Sequence, residues 1–286
     1  MKKNLLLIVL ALTSLSYTFA QGNLLIIGGG RRGDAMMNKF VQLAGGVNAG
    51  ILIIPNASGN TELAGSSQEE EFLDMGCNNV RYIVFDKHLV NSDSLINSLS
   101  NIKGVFICGG DQSILSKLFV PSKFLDFLKK VYKDGGVIAG TSAGAAIMSK
   151  VMITGNEKIN QDSTSYFHTI MPGNVETIEG FGFLKDIVID QHFIIRKRLN
   201  RLISVILEKP ELLGIGIDES TAILVKPDYT MEIVGDRTVV IVDASKTLNV
   251  STNDIGLYAA DNISLSILKA GDKFDLKKRI KIGNGK

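Results

Sequence analysis

The sequence predicts an α/β protein with a mostly parallel sheet covered by helices on both faces. Three observations lead there. Short, bare apolar runs recur along the chain, among them residues 24–27, 51–54, 104–108 and 137–139. Strands buried on both faces read this way, whereas strands with one wet face alternate. Stretches with apolar residues at helical spacing separate the runs, as βαβ units require. Each run also closes on a turn rich in small or polar residues. Such turns open at the carboxyl edge of a parallel sheet, where ligands sit.

Taken in order, Leu24, Leu25, Ile26 and Ile27 form the first strand, and Gly28-Gly29-Gly30-Arg31-Arg32-Gly33 follows. That turn fits G-x-G-x-x-G. A dinucleotide site would also need an acid at the end of the second strand, but residues 51–54 run into Pro55-Asn56-Ala57-Ser58. A turn that walls a cleft is the expected role. Met36, Met37, Phe40, Val41 and Leu43 give the first helix, and residues 62–75 a second, polar-faced one. Residues 80–85 read as a third strand and 92–99 as a short helix. Residues 104–108 form the fourth strand, ending in Gly109-Gly110-Asp111-Gln112. After a helical stretch at 114–119, Ser122 is placed to cap a helix whose apolar stripe runs from Phe124 to Tyr132 and which Gly135 closes.

Val137, Ile138 and Ala139 then lead into Gly140-Thr141-Ser142-Ala143-Gly144, followed by the small or apolar residues 145–148. Strand, sharp turn and helix are the context in which G-x-S-x-G marks an exposed nucleophilic serine. The N–H of Ala143 would help bind an oxyanion. Residues 150–183 are irregular, and neither His168 nor Glu176 within them is given a role. A strand ending at Ile189 runs into Asp190-Gln191-His192, which puts an imidazole on the same rim as Ser142. Arg196, Arg198 and Arg201 follow, with Arg196 four residues after His192 on one helix face. A guanidinium fork suits a bidentate carboxylate. Residues 214–217 make another strand, ending in Asp218-Glu219. The rest is β-rich, at 222–225, 230–234, 238–242 and 263–268, read as strands added to the same domain.

Composition narrows the function. Residues 1–20 carry Lys2 and Lys3, a short apolar run from Leu5 to Leu12, and small residues up to Ala20. This is the pattern of a cleaved export signal, too short to span a membrane. Its removal takes two of 31 basic residues and none of 29 acidic ones, leaving residues 21–286 formally neutral. No field of one sign invites nucleic acid or an anionic membrane. Cys77 and Cys108 with three histidines do not suggest a structural zinc site, and Cys108 reads as a packed strand thiol.

Four blocks, Gly109-Gly110-Asp111-Gln112, Gly140 through Ala145, Asp190-Gln191-His192-Phe193 with its three arginines, and Gly214 through Glu219, resemble the cyanophycinase and dipeptidase E family of serine peptidases. The resemblance implies one flavodoxin-like domain over residues 21–286, related to class I glutamine amidotransferases, dimeric, with no metal and no cofactor. It implies Ser142 as nucleophile, His192 as base and Glu219, or else Asp218, as the acid that orients the imidazole. Gly110 and Ala143 would supply oxyanion N–H groups. Gln112, Asp190, Gln191, Arg196, Arg198 and Arg201 would line the substrate pocket. The implied substrate is cyanophycin, multi-L-arginyl-poly-L-aspartate, cut to β-Asp-Arg by an exported enzyme. An aspartyl exopeptidase of the dipeptidase E type and an inactive binding module on the same fold are the alternatives. The three catalytic side chains are expected to meet at one edge of a single sheet.

Overall fold

The computed structural model describes residues 21–159, 161 and 167–283; the export signal expected at 1–20 lies outside them. The first half alternates: β1 (Asn23–Ile27), α1 (Asp34–Ala44), β2 (Gly50–Ile54), α2 (Thr61–Asp74), β3 (Val80–Tyr82), α3 (Asp93–Ser98), β4 (Ile102–Ile107), α4 (Gln112–Phe119), α5 (Lys123–Lys133), β5 (Val137–Thr141) and α6 (Ala143–Ala146). A hairpin of β6 (Val151–Glu157) and β7 (Val175–Glu179) follows, then β8 (Ile187–Gln191), α7 (Leu199–Glu208), β9 (Leu213–Ile217), β10 (Thr221–Val225), β11 (Thr230–Gly235) and β12 (Val239–Asp243). A second hairpin, β13 (Leu248–Thr252) with β14 (Tyr258–Asp261), precedes β15 (Ser264–Leu268), β16 (Lys273–Asp275) and β17 (Ile280–Ile282).

The main sheet runs β17-β16-β11-β10-β1-β5-β4-β2-β3. From β1 to β3 its neighbours are parallel, and from β1 to β17 antiparallel. Strand alternation divides its apolar residues between two cores. Leu25 and Ile27 face α1 and α2, in a core with Met36, Phe40, Phe72 and Phe106. Leu24, Ile26, Leu52 and Ile54 face α4, α5 and α6. Helix α5 shows why the local sequence holds: Ser122 accepts the Leu125 N–H at 3.1 Å, and Lys130 and Lys133 occupy the last turn.

The structure departs from the sequence expectation in five places. The C-terminal strands do not extend one sheet. They separate, and β8, β9, β12 and β15 form a second sheet of order β15-β12-β9-β8. One face of that sheet, through Ile189, Ile215, Ile217 and Ile241, packs into the core that also covers the main sheet. Its other face, through Val188, Val240 and Val242, is covered by α7. Strand β3 ends at Tyr82 rather than at Phe85. The buried Asn56 amide bonds the Phe85 N–H at 3.2 Å and its C=O at 2.8 Å, so those groups are taken out of a ladder. Helix α6 is one turn long, because Lys150 N–H bonds Leu184 O and the chain leaves toward β6. Helix α7 starts at Leu199, since His192 and Lys197 hold φ of 48° and 53°. Residues 151–179, irregular by sequence, contain the β6–β7 hairpin.

Candidate active site

Ser142 sits between β5 and α6 at φ 54°, ψ −110°. That conformation lies outside the basins open to a residue with a Cβ and costs on the order of 1–3 kcal/mol. The surroundings hold it there. Its N–H bonds Ile27 O at 3.0 Å, and its C=O accepts from Ala145 and Ala146 at 2.9 and 3.0 Å. The flanking glycines are sterically required: a Cβ on Gly140 would lie 2.1 Å from Gly144 O, and one on Gly144 would lie 2.3 Å from Ile107 O. The turn can close only because both positions lack side chains.

The hydroxyl of Ser142 meets His192 Nε2 at 2.8 Å, and His192 Nδ1 meets Glu219 Oε1 at 2.6 Å. A carboxylate can only accept, so Nδ1 carries the proton and Nε2 is left free to take one from the serine. Ser142 stands at the end of a main-sheet strand, whereas His192 and Glu219 follow β8 and β9 of the second sheet. The three therefore meet between two sheets, not on one. The end of β1 joins the two sides: Ile27 O holds the Ser142 N–H, and Gly28 O accepts the His192 N–H at 2.8 Å. Gly29, at φ 105°, lies flat against the imidazole; a Cβ there would be 2.3 Å from His192 Cε1. Burial pulls the imidazole pKa below its ordinary value, against the Glu219 hydrogen bond that raises it; Arg196 and Arg198 lower it further. His192 thus stays neutral, and able to accept a proton, further into acid than a free histidine.

The remaining candidates sort by what their side chains already hold. Asp218 is buried and accepts the Ile195 N–H at 3.1 Å while facing Arg237 at 3.5 Å, so Glu219 and not Asp218 reaches the imidazole. Asp190 and Arg201 are 1% and 2% exposed and are paired with each other. Arg201 also stacks 5.5 Å from the Phe167 ring centroid. Arg198 donates to Gln191 O at 2.7 Å and to the Gln191 side chain, and burial first, then Arg201, draws its pKa down to about 10. Gln112 spends its amide on Ile153 O and Thr154 O, at 2.9 and 2.6 Å, tying α4 to the β6–β7 hairpin. These groups brace the pocket wall instead of pointing free into it. Arg196 is different. It is exposed, and among the described residues it holds no hydrogen bond or ion pair through its guanidinium. On the far side, a Cβ on Gly109 would lie 3.3 Å from Ser142 Cβ, which sets the Gly109-Gly110 turn against the serine. Ala143 opens α6, so its N–H has no intrahelical acceptor.

Two residue sets that the sequence placed on cleft turns do more than it assigned them. Gly28 and Gly29 contact His192 directly, although the G-x-G-x-x-G spacing pointed only to a generic cleft wall. Asn56, which locks the 55–58 turn to Phe85, carried no signal beyond its place after a strand.

Comparison with known proteins identifies a family. The family model described as peptidase family S51 matches residues 24–233. A cyanophycinase of Synechococcus elongatus is 34% identical over 268 residues, covering 90% of this chain and 80% of the relative. One of Trichormus variabilis is 32% identical over 263 residues, covering 89% and 86%. One of Geminocystis herdmanii is 31% identical over 270 residues, covering 91% and 95%. Among solved structures, a peptidase from an acI-B1 actinobacterium shares the fold at a TM-score of 0.67 and 19% identity, covering 90% of this chain and 98% of its own. With a flavodoxin-like α/β fold and a family model that spans both the serine turn and the imidazole strand, the chain belongs to peptidase family S51 and is a serine-type peptidase.

Proposed function

We propose that the protein is an exported cyanophycinase that cleaves multi-L-arginyl-poly-L-aspartate to β-Asp-Arg through an acyl-enzyme on Ser142. The observation that carries this is the hydrogen-bonded line Ser142–His192–Glu219, with the exposed Arg196 guanidinium, unpaired among the described residues, four residues on from the imidazole. The cyanophycinases named above support the choice of substrate. In that polymer each aspartate side chain is already amidated, so the free carboxylate of each repeat belongs to its arginine. Arg196, exposed and close enough to depress the His192 pKa, is the group proposed to receive it.

In this mechanism His192 Nε2 takes the Ser142 proton as Oγ attacks the scissile backbone carbonyl. Glu219 steadies the imidazolium that forms. The N–H groups of Ala143 and Gly110 receive the oxyanion. Collapse expels the amine, which takes its proton from His192, and water then repeats the sequence to release the product acid and restore Ser142.

The test is wild type beside Ser142→Ala on purified cyanophycin and on Asp-X dipeptides, with products read by mass spectrometry. Release of β-Asp-Arg by wild type alone supports the proposal. Cleavage of only the dipeptides would move the assignment to an exopeptidase, and full activity in Ser142→Ala would end the nucleophile assignment. Residues 1–20 support export; the secreted protein should begin at Gln21, and an unprocessed cytoplasmic chain would overturn that part.

A further inference from the structure

The Gly28-Gly29-Gly30 turn touches both partners of the serine, yet glycines hold nothing by side-chain packing and are conformationally loose. Gly29 lies on the His192 ring, and a Cβ on Gly30 would be 2.8 Å from Glu219 Cβ. Gly29 O also accepts the Ser220 N–H at 2.8 Å, next to Glu219 in the chain. What fixes the outer side of this turn is Arg32. Arg31 beside it is exposed, and Gly33 enters α1 with no side-chain cap.

The Arg32 guanidinium pairs with Glu71 on α2 and stacks 5.5 Å from the centroid of Phe106 on β4. Both anchors have partners of their own. Glu71 also accepts from the buried Gln68 amide at 3.0 Å. The next residue, Phe72, is fully buried with ring centroids 5.3 and 5.6 Å from Phe40 and Phe106. Phe106 lies three residues before Gly109, which lies against Ser142. One guanidinium thus references the imidazole side of the site and the serine side to the same point in the core. It does so with its Nε buried and lacking an acceptor among the described residues, a cost that turning outward would remove.

We propose that Arg32, through Glu71 and Phe106, is a positioning residue that sets the glycine turn against His192 and Glu219. The inference rests on the triad reading. Its test measures the rate of Ser142 labelling by a fluorophosphonate, which needs no knowledge of the substrate, together with kcat and KM on cyanophycin. Small misplacements of reacting groups cost rates far more than binding. Arg32→Gln and Glu71→Gln should each slow labelling about tenfold, lower kcat to match, and leave KM within about twofold. Arg32→Lys should recover part of the loss. The downfield proton resonance of His192 Nδ1–H should broaden in both Gln variants while their melting curves stay cooperative. Wild-type labelling in both folded Gln variants overturns the proposal, as does slowed labelling with an unchanged Nδ1–H resonance. If one variant fails to fold, the other decides. Ser142→Ala serves as the control: labelling that survives in it indicts the triad itself, not Arg32.

Discussion

The two sides of the active site are made in different ways. The serine side is local. Two glycines, one strained residue and its own helix turn fix Ser142 within residues 140–146, and the supports from outside that stretch are main-chain atoms of the neighbouring strands, Ile27 O and Ile107 O. The imidazole side is assembled at a distance. His192 and Glu219 are 27 residues apart, just beyond the ends of adjacent strands of the second sheet, and their turn depends on Gly28 at the end of β1, Asp218 under Ile195, and the Asp190–Arg201 pair. A local turn should tolerate change far from it. An assembled one should register damage anywhere along its supports.

The largest effect should come from removing the acid that fixes the imidazole tautomer. Glu219→Gln keeps shape but permits the wrong tautomer, and should lower kcat by about three to four orders of magnitude, as loss of the orienting carboxylate does in serine hydrolases. It should also move the pH profile. The active form has neutral His192, so kcat/KM falls as pH drops through the imidazole pKa. Burial, the largest influence, already lowers that pKa, and the Glu219 hydrogen bond opposes it. Loss of the hydrogen bond should therefore carry the acid limb further down. A profile that shifts upward would contradict the arrangement.

Next comes the buried pair. Arg201→Met strips the 1% exposed Asp190 of its bidentate partner and leaves it only Arg198, 3.9 Å away, which should cost about 3 kcal/mol by denaturant titration, the low end for breaking a buried pair. The double variant Asp190→Leu/Arg201→Met should regain most of it. If the single variant is as stable as wild type, the pair does not brace the imidazole turn. Gly29→Ala tests the same side by sterics. With φ at 105° and a Cβ directed 2.3 Å from the ring, it should lower kcat about a hundredfold, readable by steady-state kinetics on the folded protein.

These differences track what could be read from residues alone. The parallel strands β1, β2, β4 and β5 were legible because a strand buried on both faces has no choice but to be apolar throughout. The serine turn was legible because its glycines are forced by contacts within the motif and with the adjoining strand. The partition of the C-terminal strands was not. Residues 213–217 and 221–225 are both short apolar runs only three residues apart, yet they join different sheets, and that choice is made by tertiary pairing. For the same reason Asp218 and Glu219 looked interchangeable: adjacent side chains leave a strand end in opposite directions, and only the packed structure tells which one meets His192. The arginines, alike by sequence, part company by burial. Arg201 is consumed by Asp190 and Arg198 by Gln191, while Arg196 stays exposed.

That last distinction gives the smallest expected effect and the sharpest test of the division between bracing and binding. Arg196 supports no buried group, so Arg196→Ala should leave the melting temperature within about 1 °C. It should raise KM about tenfold, the low end for one charge-assisted contact at an exposed site, while kcat changes little, because that contact is made equally in ground and transition states. Removing its positive charge should also relieve one of the influences that depress His192, shifting the acid limb of kcat/KM slightly upward, opposite to Glu219→Gln. Were the variant instead to unfold readily with KM unchanged, Arg196 would belong with Arg198 and Arg201 among the braces, and the carboxylate of the substrate would have to be held by a different part of the rim.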